Sequence, residues 1–308
     1  MILFARAASS FVLPTVQGRV RSSRVHSVFE HTVNIAGEDG TWLSLHPESV
    51  PMHPYAVRVR WPGSVPSEAE GMLGASPGEV VTLGKGVIEL ASRHVTIETA
   101  FARRWDPGID RPETAGLDAR ERLALLGDLI GGRAVESMLL AAVLERPGDV
   151  TGGWASALTR RAGQVVDAIR EGLASASLER VSVGIRAAVG MGCGFTPSGD
   201  DYLTGLFGTW LHLGGPPDLF GRLRREVTPL LERTSLPSAM MIRAALEGWL
   251  PEPLGDFIRD LAGCSRERLA RTLDALIRLG ATSGEDMLAG SMTYFRSMAG
   301  AGCVHALH

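Results

Sequence analysis

A chain of 308 residues is long enough for one large or two ordinary domains. Its 45% hydrophobic and 21% charged residues are globular proportions, which excludes global disorder. The formal net charge of −3 is not the clustered positive excess of a nucleic-acid footprint, and no apolar run approaches the ~20 residues a bilayer-spanning helix needs.

The opening MILFARAASSFVLP is mildly apolar, but Arg6 interrupts it and its apolar core is short for a secretory signal. The next hundred residues read as β-rich. Short alternating or apolar runs at 25–35, 41–45, 56–61, 80–83, 87–90 and 94–98 are separated by Gly, Pro and Ser turns. Residues 104–116, RWDPGIDRPETAG, have no periodicity and carry two prolines, as a linker would.

From Leu117 the hydrophobic period becomes that of helices. Asp118 with Glu121 matches a capping box, and Leu123, Leu126 and Ile130 then share one face. Further helices are expected over 154–173, 181–189, 201–213, 218–232, 236–248, 265–279 and 285–298. The fold class is therefore α+β: a β-rich domain over 1–105, a linker over 106–116 and a mostly α-helical domain over 117–308.

Two helix starts in the helical part repeat each other. SGDDYLTG at 198–205 and SGEDMLAG at 283–290 share five of eight positions, and a sixth exchanges Asp for Glu. The bland reading is a pair of capping boxes, Ser198 with Asp201 and Ser283 with Asp286, with Gly205 and Gly290 allowing close helix packing. Three features favour a site. A cap needs one carboxylate, yet Asp200-Asp201 and Glu285-Asp286 each supply two. Glycines at 190, 192, 194 and 199 let backbone approach a ligand closely. Glycines leading into a helix N-terminus also expose N–H groups to an anion. Such a mixture suits a small substrate carrying an acid and an amide or amine; alternatively, the carboxylates hold Mg²⁺.

Other residues tempt less. Cys193 lies in the glycine-rich approach but has no histidine near it in sequence. Cys193, Cys264 and Cys303 form no C-x-x-C pair, so neither a disulfide framework nor a zinc site is expected, and the cytoplasm is the expected compartment. His26, His31, His46, His53 and His94 match no zinc spacing, and of these His31 is the one worth testing.

The segments G-x-G-x-TPSGDD-x-L-x-G (192–205), TS-L-PSA (234–239) and GATSGEDMLAG (280–290) resemble the AllH family, which includes a subunit of oxamate carbamoyltransferase of anaerobic allantoin degradation. RVHSVFEHTVNI and VVTLGKGVIEL are similar to that family's β-rich first part. The resemblance implies carbamoyl transfer between carbamoyl phosphate and oxamate, within a complex containing other subunits. The motif positions it carries over are Thr196, Ser198, Gly199, Asp200, Asp201, Ser283, Gly284, Glu285 and Asp286. On chemical grounds, backbone N–H groups near Ser198-Gly199 would cradle an anion, Gly194 and Thr196 would also contact the substrate, and Asp200 or Asp201 would orient an amide. Thr234 and Ser235 would add hydroxyl donors. No cofactor is required, though Mg²⁺ remains possible. The competing classes are a Mg²⁺-dependent small-molecule hydrolase and a non-catalytic structural subunit. Neither nucleic acid nor membrane is an expected partner.

Overall fold

The computed structural model describes residues 1–60, 72–110, 112, 117–146 and 153–300. The chain divides into two compact units, Met1–Pro107 and Gly108–His308.

The first unit is a β-barrel. Its strands are β1 (Ile2–Ser9), β2 (Arg21–Phe29), β3 (Thr32–Ala36), β4 (Trp42–His46), β5 (Ala56–Val59), β6 (Val80–Gly84), β7 (Val87–Leu90), β8 (Val95–Glu98) and β9 (Arg103–Trp105). They run in the order β5-β4-β3-β2-β6-β7-β8-β1, and β1 closes the ring by pairing antiparallel with β5. Closure leaves only the three-residue β9 with an unpaired flank among the described strands. One flank of β1 takes β8 along Ile2–Phe4 and β9 along Ala7–Ser9, both parallel. Inward side chains at alternate positions, among them Val25, Leu83, Ile88 and Ile97, form the lining and are almost fully buried.

The expected β-rich part is thus a barrel, with two departures. The single run over 25–35 is a hairpin that turns at Glu30-His31, and His31 is a half-buried turn residue 3.2 Å from Glu30. The strands β1 and β9 were not anticipated. The pattern of β1 is obscured because its C-terminal half, Ala7 to Ser9, is buried on both faces.

The second unit is helical: α2 (Ala119–Ile130), α3 (Met138–Val143), α4 (Gly153–Ala174), α5 (Leu178–Ala188), α6 (Ser198–Leu213), α7 (Pro217–Val227), α8 (Leu236–Leu246), α9 (Glu252–Leu261), α10 (Arg266–Ile277) and α11 (Ser283–Gly300), after a short α1 (Leu13–Gln17) in the barrel. Asp118 caps α2 by accepting from the N–H groups of Arg120 and Glu121, as expected. Two helices, α3 and α9, were not anticipated. In α9 the N-cap is Pro251 and Pro253 stands in the first turn, where proline is preorganised and loses no hydrogen bond. Much of the expected linker over 106–116 lies outside the described residues.

The core of this unit is built around α6, which is buried on nearly every side from Gly199 to Leu213. Only α11 packs against it with comparable closeness. Gly205 and Gly290 have no β-carbon, so the two backbones meet directly. Two helix–loop–helix copies, α5–α6 and α10–α11, are thereby related by a local two-fold arrangement. In both, the motif's second residue seats on the preceding helix: Gly199 on the Ala188 carbonyl and Gly284 on the Leu276 carbonyl.

Candidate functional site

The acidic motifs sit at the N-terminal ends of α6 and α11, and the two-fold arrangement brings them together. Capping does not explain the first of them. Ser198 is a helical residue, the N-cap position is Pro197, and no side chain caps α6. The serines and inner aspartates lie against each other across the helix pair instead, Ser283 beside Asp201 and Ser198 beside Asp286. The hydroxyls of Thr196 and Ser283 lie 3.3 Å apart beside them.

The four carboxylates divide into two kinds. The outer pair, Asp200 and Glu285, is tied to the scaffold. Asp200 accepts from the Gly190 N–H at 2.9 Å and from the Thr234 hydroxyl, which fixes the glycine-rich loop and the start of α8. Burial still raises its pKa above the usual carboxylate range, against the hydrogen bonds from Gly190, Thr234 and Ser238. Glu285 accepts from the N–H groups of Glu136 and Ser137 at 2.8 and 2.7 Å and so holds the start of α3. Thr234 and Ser235 are likewise engaged, since Ser235 donates to the Phe195 carbonyl and caps α8.

The inner pair, Asp201 and Asp286, is different. Both are almost completely buried, yet Oδ2 of each has no hydrogen-bond partner among the described residues. A buried carboxylate oxygen without a partner costs free energy and calls for an explanation. Burial pushes Asp201 up to about 8; the Asp286 charge adds to this, while bonds from Ser283 and Thr196 oppose it. Burial likewise pushes Asp286 up to about 6, against bonds from Ser137, Ser198 and Thr282. Near neutral pH the pair therefore holds about one proton, and its members differ in charge. Ser137 donates to Asp286 Oδ1 at 2.5 Å, a contact that came from α3 and that no motif announced.

Above this pair the 189–197 loop is exposed at Gly192, Cys193 and Gly194. Gly192 and Gly194 adopt φ of +114° and +106°, which side chains rarely tolerate. A β-carbon on Gly192 would come within 2.9 Å of the Ser198 nitrogen, so the loop folds closely over the start of α6. Among the described residues no group of three or more His, Cys, Asp or Glu side chains converges as metal ligands. No described helix is long and apolar enough to cross a membrane.

No solved structure matches the chain. Two family models do. Residues 5–104 match the AllH family N-terminal domain, which spans the barrel. Residues 188–295 match the model described as oxamate carbamoyltransferase subunit AllH, which runs from the end of α5 into α11 and includes both acidic motifs. The chain belongs to the AllH family, the family of this oxamate carbamoyltransferase subunit.

Proposed function

We propose that Asp201 and Asp286 are the reacting carboxylates of a carbamoyl-transfer site acting on a small carboxylic amide, with carbamoyl phosphate and oxamate as the substrates. The observation that carries this reading is the pair of buried, unpartnered Oδ2 atoms beneath the Thr196 and Ser283 hydroxyls. An –NH₂ group offers two N–H donors and answers such a pair directly.

In the transfer, the amide nitrogen of oxamate attacks the carbamoyl carbon. A C–N bond forms, the carbon–oxygen bond to phosphate breaks, and oxalurate and phosphate leave. The ionised member of the pair accepts the proton lost by nitrogen, and the protonated member donates to the developing oxyanion. Exposed loop N–H groups from Gly192 to Thr196 hold the substrate's anionic end. Asp200, Glu285, Thr234 and Ser235 act at one remove by fixing the loop, α8 and α3. Gly199 and Gly284 let each motif helix close on its predecessor.

The protein works in the cytoplasm with the enzyme's other subunits, in purine nitrogen catabolism by way of allantoin. Mg²⁺ is a poorer answer to the free oxygens. Two remaining carboxylate oxygens fall short of the roughly six donors the ion takes, so no step is routed through it. The test is carbamoyl transfer by the assembled enzyme carrying Asp201→Asn or Asp286→Asn. A loss of at least about a hundredfold in kcat supports the reading. Near-normal turnover in the double variant would leave this subunit a structural role.

A further inference from the structure

A cavity lies between α3, α4 and α11, lined by none of the acidic-motif residues. Its volume is about 400 Å³, and its polar lining comprises Glu145, Thr159, Asp167, Arg170, Thr293 and Arg296. A neighbouring hollow of about 470 Å³ shares Glu145, Arg170 and Arg296, so these three side chains stand between the two spaces. Arg296 follows Asp286 by ten residues on α11, which puts it ~15 Å away along the helix.

The cavity holds two guanidinium groups and two carboxylates, but their pairing is loose. Arg296 donates to the Val143 carbonyl at the end of α3. Burial lowers its pKa from the usual arginine range; Glu145 opposes this, and the Arg170 charge reinforces it. Asp167 takes Nη2 of Arg170 at 2.8 Å and leaves Nη1 turned elsewhere. The one carboxylate reaching both guanidinium groups is that of Glu145, 3.7 Å from Arg170 and 3.8 Å from Arg296. Those distances are too long for hydrogen bonds, and the Glu145 side chain is 73% exposed. Glu145 also sits at φ +56°, a left-handed conformation costly for a residue with a β-carbon.

We infer that this cavity binds a small oxyanion, the carboxylate or phosphate group of a metabolite, between Arg170 and Arg296. Glu145 is a loosely held resident carboxylate that the ligand displaces. Guanidinium forks suit both oxyanions, because each presents paired oxygens in a plane. A displaced Glu145 side chain returns to water at little cost, since it is mostly solvated already.

The experiment is calorimetric titration of the full chain with inorganic phosphate and, separately, with oxalate. Saturable binding of at least one is expected, and the tighter of the two identifies the ligand's anionic group. Arg296→Met should weaken binding at least tenfold, and Glu145→Gln should tighten it severalfold by removing the competitor. The loss on Arg296→Met assigns the binding to this cavity, ~15 Å along α11 from Asp286. Should Arg296→Met fail to fold, Arg170→Gln, at a more exposed position, carries the same expectation. Absence of binding by both anions, wild-type affinity in the arginine variants, or weaker binding in Glu145→Gln would overturn the inference.

Discussion

Gly205 rests on the backbone carbonyl of Met287, so close that a β-carbon on the glycine would lie 1.9 Å from the oxygen. Gly290 stands in the same relation to the Tyr202 carbonyl, again at 1.9 Å. The obstacle in each case is backbone, which cannot rotate aside. Gly205→Ala and Gly290→Ala should therefore each destabilise the protein by about 3 kcal/mol or more, measured by urea denaturation. Gly221→Ala in α7 is the control: its β-carbon meets only the tip of Arg225 at 4.0 Å, and it should gain up to about 1 kcal/mol. A Gly205→Ala protein as stable as the wild type would contradict the backbone contact.

Adjacent aspartates should respond oppositely to the same change. Asp200→Asn turns a full acceptor into a group that cannot satisfy both Gly190 and Thr234, and it should cost about 1–3 kcal/mol of stability. Asp201→Asn removes a carboxylate that burial disfavours, so stability should hold or rise while carbamoyl transfer falls. Urea midpoints and turnover, measured on both variants, check the division.

The inner pair also sets a pH dependence. Asp201 and Asp286 have folded-state pKa values of about 8 and about 6, both above the unfolded value of ~3.9. The unfolded chain releases these protons first, so their contribution to stability is fully present below pH ~4 and is lost as pH rises to about 8. Denaturation midpoints measured from pH 4 to 9 should show this fall, and the Asp201→Asn/Asp286→Asn variant should flatten it. Transfer activity should peak between about 6 and about 8, where one proton is shared.

Cys193 offers a probe that needs no mutation. It is exposed on the glycine-rich loop, whereas Cys264 is partly buried, donates to Asp260 at 3.1 Å and has its thiol pKa raised, chiefly by burial. Iodoacetamide at pH 7 should modify Cys193 before Cys264, as followed by peptide mass spectrometry. Oxamate should slow that reaction if the loop lines the substrate site. An unchanged rate at saturating oxamate would remove the loop from the site.

Several parts of this architecture were legible because they depend on local pattern. Alternation marks β6 to β8, and the repeated SG-x-D-x-L-x-G marks the ends of α6 and α11. What the pattern conceals is partner choice. Four carboxylates in two matching motifs look alike in sequence, but Asp200 and Glu285 are claimed by the N–H groups of Gly190, Glu136 and Ser137. Two of those donors lie about 150 residues away in the chain, beyond the reach of any local rule. Ser137 shows the same limit. It caps α3, a six-residue helix too short to stand alone, and its role at Asp286 appears only once α11 is packed beside it.

The pairing of α5–α6 with α10–α11 is the kind of self-complementary contact that two identical subunits make across a dimer axis. Here both copies are carried in one polypeptide, and that changes what substitution can do. A homodimer must accept each replacement twice, once on either side. This chain accepts it once: Thr196 corresponds to the repeat's Ala281, which has no hydroxyl, and Asp200 corresponds to the longer Glu285. Covalent linkage thus frees a symmetric frame to hold two carboxylates of unequal acidity.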